Sequence, residues 1–413
     1  MNGDRNRESA SRVLDDLAET IDVPESKYEE AKQHYNAVAE WLGAEDSELA
    51  LCKPKIYPQG SFALGTAVRP LGEDEYDVDA VCLLELTTEQ VTQQRLKEMV
   101  GQRLKHPKSR YKDKIDPKEG GRRCWTVRYA DASKFHLDVL PCLPDRSRWF
   151  FGLGLPPEIA EHAIRLTDKT TPEYATGWPA IERASSDPTR SNPKGYAAWF
   201  KVQMGERFRE AQALRAKERN ASVEDIEAYE VRTPLQRVVQ ILKRHRDVKY
   251  NGDDDKPISV IITTLAALAY DNEADLYDAI LAVVPGMRRH IENRNGVWWV
   301  QNPVNPYENF ADKWEQSPRK AKVFFEWLDA VEAEHRNLAS DNGLQNVGQF
   351  LSEAYGKRDA SAVMSKQAAR QSAQTEASRP TPEILVPRAR KPADPPAYPR
   401  VDVSGPRRPW KPE

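Results

Sequence analysis

The stretch Tyr76-Asp77-Val78-Asp79-Ala80-Val81-Cys82-Leu83-Leu84 sets two carboxylates, one residue apart, into an otherwise apolar run. A run of this kind reads as a strand, and residues i and i+2 of a strand project from the same face. Asp77 and Asp79 therefore point together, with Cα atoms about 6–7 Å apart, while Val78 and Ala80 point the other way. Like charges that close repel, and in an apolar setting one of them neutralises. Either the face is solvated, as on any half-exposed sheet, or a cation sits on it. A second strand, Phe135-His136-Leu137-Asp138-Val139-Leu140, offers a third carboxylate whose flanking residues are apolar. Upstream, Gly60-Ser61 opens a short helical segment, and such a turn offers backbone N–H groups and a hydroxyl to phosphate. A Gly-Ser turn, two aspartates from sixteen residues on, and a strand aspartate about sixty residues further form a much more specific pattern than any part alone. Three aspartates on adjacent strands are the ligand set of a two-metal site for in-line phosphoryl chemistry, and magnesium takes such oxygen ligands together with substrate phosphates.

The rest of the chain sets the frame. Periodicity predicts a helix over 24–45, with Tyr28, Ala31, Tyr35, Val38 and Leu42 on one face, and strands over 76–86, 122–130 and 134–141. From about 193 the pattern turns helical: 234–247 carries an apolar stripe, 257–270 is more apolar still, and helices continue over 274–284 and 316–337. Residues 380–413 hold ten of the thirty prolines, seven Lys/Arg and four Asp/Glu, too little apolar surface to offset the entropy of ordering. The reading is an α/β (α+β) chain in three regions: 1–190, an α/β lobe with an N-terminal helix; 191–350, a helical lobe; and 351–413, a Pro-rich, disordered tail. Cys52, Cys82, Cys124 and Cys142 form no CxxC pair and read as reduced thiols of a cytoplasmic protein. The N-terminus has no signal-peptide core and no apolar run reaches 18 residues, so no membrane is expected. With a net charge of −3 on 413 residues, strong nucleic-acid binding is not expected either.

At this point the sequence resembles the DNA polymerase β-like nucleotidyltransferases, whose pattern is hG[GS], then [DE]h[DE]h, then a later strand h[DE]h. Here these are Gln59-Gly60-Ser61, Asp77-Val78-Asp79-Ala80 and Leu137-Asp138-Val139. Within that superfamily it is most similar to the oligoadenylate synthetase and cyclic GMP–AMP synthase branch, and in particular to the bacterial cGAS/DncV-like nucleotidyltransferases. That similarity rests on 60–70, 191–200, "LKRHRD" followed by "KPISVIITTLAA", and 302–314. It spans roughly residues 30–340.

The resemblance implies a mixed-sheet catalytic lobe and a helical lobe that close a cleft between them. It implies two Mg²⁺ ions, for which Mn²⁺ can substitute, on Asp77, Asp79 and Asp138, with Asp138 also helping to deprotonate the attacking hydroxyl. Gly60 and Ser61 would meet the donor triphosphate, Lys243 would grip it, and Ser259 would assist. Arg244 and Arg246 are alternative matches for the lysine. The implied activity is synthesis of a cyclic di- or trinucleotide second messenger from nucleoside triphosphates, in anti-phage signalling where a separate effector protein reads the product. A linear oligonucleotide synthase, or a transferase that modifies RNA or protein, is the alternative on the same fold. A catalytically silent binding protein is disfavoured because all three acidic positions hold aspartate.

Overall fold

The computed structural model describes residues 2–72, 74–115, 120–129, 134–147, 149–180, 187–338, 344–377 and 405. In chain order the elements are α1 (Asn2–Ile21), α2 (Glu25–Gly43), β1 (Lys55–Pro58), α3 (Gly60–Leu64), β2 (Tyr76–Leu83), α4 (Gln93–Leu104), β3 (Trp125–Tyr129), β4 (Phe135–Pro144), α5 (Pro157–Ala160), β5 (Ile164–Leu166) and β6 (Arg190–Ser191). Then come α6 (Pro193–Arg219), α7 (Pro234–Lys249), α8 (Ser259–Ala269), α9 (Leu276–Met287), β7 (Glu292–Arg294), β8 (Val297–Trp299), β9 (Gln301–Asn302), β10 (Asn305–Asn309), α10 (Asp312–Gln316), α11 (Pro318–Leu338), α12 (Leu344–Tyr355) and α13 (Lys357–Ala377).

β1 to β6 form one mixed sheet. β2 runs parallel to β4, and every other pair is antiparallel. On its other edge β4 pairs with β3 along 135–139 and with β5 along 142–144, so three strands share it. α2 lies where periodicity predicts, with Tyr28, Ala31, Val38 and Leu42 buried. Its core is the sheet's core, shared with Val78, Ala80, Leu137 and Val139.

A second core gathers α6 to α9 and α11. Two boundaries of the sequence reading change here. The helix read over 24–45 stays with the sheet, but α1, within the 1–190 region, carries Leu14, Leu17 and Ile21 into the helical core and so packs with the second lobe. The region read as a tail from 351 begins instead with helix, α12 and α13 running to Ala377. Leu351, Tyr355, Ala360 and Val363 are buried in the helical core, because the proline-rich composition begins only at Pro380 and the segment before it is a good helix former. The reading of 380–413 as disordered lies outside the described residues, Gly405 apart. Residues 1–368 form one compact unit, and Ala369–Glu413 form a second. No helix among the described residues is long and apolar enough to cross a membrane.

α7 shows how local sequence places a long element. Thr233 caps it, its hydroxyl accepting from Gln236 N while Gln236 Oε1 accepts from Thr233 N, and Pro234 occupies the first turn. This reciprocal cap satisfies two backbone donors that the helix leaves open.

Candidate active site

The strand periodicity holds. Val78 and Ala80 are buried on the core side of β2, and Asp77 and Asp79 face away. In the parallel ladder Asp79 lies opposite Asp138. One carboxylate oxygen from each of Asp77, Asp79 and Asp138 lies within 4.8 Å of the others. β3 orients the third: Thr126 Oγ1 donates to Asp138 Oδ1 at 2.5 Å, and Cys124 Sγ lies 3.3 Å from Oδ2. Burial, with Asp77 and Asp138 adding repulsion, pushes Asp79 up to about 7. Burial and Asp138 raise Asp77 as well. Three hard oxygen donors that disfavour their own charge fit a divalent cation, which would remove the repulsion.

The Gly-Ser turn is tied to this strand. Gln59 N donates to Asp79 O at 2.8 Å. Gly60 has φ +60°, and a Cβ there would lie 3.0 Å from Asp79 Oδ2, so both conformation and space call for glycine. Ser61 follows on α3 and lines a cavity of about 580 Å³ together with Asp77 and Asp79.

The cavity's other wall is α7. Gln236, Gln240 and Lys243 recur at i, i+4 and i+7 and so share a face. Gln236 Nε2 donates to Leu64 O at 3.0 Å, Gln240 Nε2 to Ala67 O at 2.9 Å, and Lys243 Nζ to Thr66 O at 3.0 Å. This face thus stitches the helical lobe to the chain just after Ser61. Lys243 is 4% exposed, so it is no solvated surface lysine. Burial, with Arg246 nearby, pulls its ammonium down to about 7. Arg246, one turn on, also lines the cavity; it donates to Pro257 O at 2.6 Å and to Ser259 Oγ at 3.2 Å. Ser259 opens α8 without capping it, and it too lines the cavity.

Gly60, Ser61, Asp77, Asp79, Lys243 and Ser259 therefore meet at one cavity, with Asp138 joined through the carboxylate cluster. Arg244 is elsewhere: it is fully buried, its Nε 3.2 Å from Asp359 Oδ2 and its Nη2 donating to Arg69 O. Of the three on α7, Lys243 and Arg246 line the cavity and Arg244 does not. Sequence reasoning passed over Arg69, Tyr196 and Lys256, which also line the cavity. All three lie in stretches that carry the resemblance, Arg69 in 60–70, Tyr196 in 191–200 and Lys256 at the head of "KPISVIITTLAA", but nothing local singles out these side chains.

Residues 54–141 match the family described as cyclic GMP-AMP synthase DncV-like, nucleotidyltransferase domain. The chain is 27% identical over 348 residues to a c-di-GMP synthase of Roseivirga ehrenbergii, covering 83% of each. It is 26% identical over 369 residues to the cyclic dinucleotide synthase CdnG of Bradyrhizobium diazoefficiens, covering 84% of this chain and 80% of the relative. The structure of that bacterium's CdnG in complex with GTP shares the fold, with a TM-score of 0.63, 21% identity and coverage of 87% of this chain and 99% of that one.

Proposed function

We propose that this chain is a nucleotidyltransferase of the cGAS/DncV-like kind, as the match over residues 54–141 and the two cyclic-dinucleotide synthase relatives support, and that it makes a cyclic di- or trinucleotide second messenger from nucleoside triphosphates. The observation that carries the reading is the convergence on one cavity of about 580 Å³ of the aspartates on β2 and the cations Lys243 and Arg246 on α7. That volume suits a nucleotide, and the charges suit the two ends of the reaction, a hydroxyl to be deprotonated and a pyrophosphate to be released.

Asp77, Asp79 and Asp138 would hold two Mg²⁺ ions, with Mn²⁺ able to substitute, and these would neutralise the triphosphate and acidify the attacking hydroxyl. The 2′- or 3′-hydroxyl oxygen of one nucleotide bonds to the α-phosphorus of another. The bond from that phosphorus to the bridging oxygen breaks, and pyrophosphate leaves with the electron pair. Asp138, held by Thr126, accepts the hydroxyl proton and passes it to water. A second transfer, with the linear product turned round in the cleft, closes the ring.

Ser61 donates to the donor triphosphate. Lys243 and Arg246 meet the charge that builds on the leaving group, and a polyanion beside Lys243 restores the ammonium charge that burial weakens. Arg246 donates to Ser259 Oγ, which leaves the Ser259 hydroxyl proton free for a phosphate oxygen. The substrates belong to the cytoplasmic nucleotide pool, and we place the enzyme there, with its product read by a separate effector protein in anti-phage signalling.

Incubation with all four labelled nucleoside triphosphates and Mg²⁺ or Mn²⁺, followed by phosphatase, tests the reading. A phosphatase-resistant product is expected. A labelled product that phosphatase strips of its terminal phosphates, changing its mobility while the internal phosphodiester label stays, would instead identify a linear synthase, and no transfer under any of these conditions would count against the enzyme assignment.

A further inference from the structure

Off the main cavity opens a smaller chamber of about 210 Å³, with Gly60, Asp79 and Tyr196 lining both. It is below the size of a whole-ligand pocket and suited to one ring system. Two of its walls are chemically distinct. Tyr196, whose hydroxyl lies 2.8 Å from Thr264 Oγ1, supplies an aromatic surface, with Phe310 beside it at a ring-centroid distance of 6.3 Å. The β9–β10 hairpin supplies the other wall: Asn302 and Glu308 line the chamber.

The pair Asn302–Glu308 is set with care. Val304 N donates to Asn302 Oδ1 at 2.9 Å, which turns the amide nitrogen to Glu308 Oε2 at 2.7 Å. The hydrogen bond from Asn302 is what holds the Glu308 carboxylate, and Asn302 is only 6% exposed. Burial raises the Glu308 carboxyl, with Arg123 opposing at longer range. A half-buried carboxylate held by one amide still has lone pairs to fill, and a ligand's N–H groups are what would fill them.

We propose that this chamber takes a guanine base, and that Glu308, positioned by Asn302, selects guanine over the other bases. This rests on the nucleotidyltransferase reading above. Guanine alone presents two adjacent N–H donors, N1–H and the 2-amino group, on its Watson–Crick edge, and a carboxylate accepts both in a fork. Adenine and cytosine set a ring-nitrogen acceptor beside their amino group, and uracil sets carbonyls on both sides of its single N–H. Each would turn a lone pair towards Glu308, which is a repulsive contact as well as a lost one. The Tyr196 ring gives stacking that any base can use, so it contributes affinity while Glu308 contributes choice.

The test is calorimetric titration of the full-length protein with GTP, ITP, ATP, CTP and UTP in the presence of Mg²⁺. ITP lacks only the 2-amino group. GTP should bind best, ITP about 10-fold more weakly, and the other three about 10–100-fold more weakly, the range of one bidentate contact. Glu308→Gln replaces one acceptor by a donor. It should remove the preference for GTP and leave ATP affinity within about threefold, since stacking and triphosphate contacts persist. Equal binding of GTP and ITP by the wild-type protein, or an unchanged GTP preference in Glu308→Gln, overturns the inference even if nucleotides bind well. Failure of every triphosphate to bind the wild-type protein overturns the underlying enzyme reading along with it.

Discussion

Two polar faces look into the same cavity, one on the strand pair β2–β4 and one on α7, and they are built on opposite terms. On the strand, Asp77 and Asp79 stand over a fully apolar underside, and their own surroundings push both carboxyls up. On α7 the polar residues are buried as deeply as the apolar ones, yet Gln236, Gln240, Lys243 and Arg244 each donate to a backbone carbonyl between residues 64 and 69. The strand face is electrostatically incomplete and asks for a cation. The helix face is largely complete, and its hydrogen bonds hold the second lobe against the Gly-Ser turn. The comparison teaches that carboxylates crowded without a counter-ion ask for a ligand, whereas a buried cation with a carbonyl partner holds the fold and serves the site as well only where it also lines the cavity, as Lys243 does and Arg244 does not.

The largest effect should come from breaking the strand face. Asp77→Asn with Asp79→Asn keeps the shape and removes the charge. Product formation should fall below detection, while the melting temperature without divalent cation stays the same or rises because repulsion has gone. Near-normal product would remove the metal-site assignment.

Next come two neighbours on α7 with opposite expected readouts. Arg244→Ala removes the buried partner of Asp359, 2% exposed, and leaves that carboxylate only the largely exposed Arg358, at a cost of about 3 kcal/mol. Denaturant melts should show that loss, while activity per folded molecule stays near wild type. Lys243→Ala should lower kcat/KM by roughly 10–1000-fold, with a smaller stability loss of about 1–3 kcal/mol from the unpaired Thr66 carbonyl. Lys249, at the end of the same helix and paired to Glu334 at 3.4 Å, is the control and should matter little to either. Should Arg244 prove essential for turnover at unchanged stability, the division between the two residues is wrong.

The smallest effect sharpens the comparison away from the site. His335 on α11 is fully buried, with Nδ1 2.8 Å from Val331 O and Nε2 2.5 Å from the Tyr355 hydroxyl. Burial, with His245 nearby, lowers it from 6.5 to about 4. Its folded value lies below its unfolded one, so the unfolded chain binds the extra proton first. The neutral ring's contribution is present above about pH 6.5 and is lost as pH falls towards 4, at most about 3 kcal/mol in all. In His335→Gln, urea melts over that range should show a flatter pH dependence than wild type. An identical slope would mean that His335 is not the group responsible.

The carboxylate trio and the Gly-Ser turn were legible because their logic is local. A strand's period of two puts i and i+2 together whatever surrounds them, and a glycine at positive φ beside Asp79 is needed by the turn itself. The α7 face was only half legible. Charged residues on a helix are exposed by default, and no local pattern says that Lys243 is buried against Thr66 while its neighbour Arg244 reaches Asp359, more than a hundred residues further on. Glu308 lies in the 302–314 stretch that supports the resemblance, but nothing local gives it a role, since a lone glutamate in a short hairpin looks like any surface residue.

The sequence by itself therefore determined the chemistry: three aspartates at strand spacing, a phosphate-binding turn, and a helical half to follow. Tertiary structure decided which cations meet that chemistry, that α1 and α12 pack with the helical lobe, and that the β9–β10 hairpin brings Glu308 beside Asp79's cavity. The physical reason is range. Side-chain direction within one strand follows from backbone geometry over two residues, whereas burial of a charge depends on which distant segment packs over it.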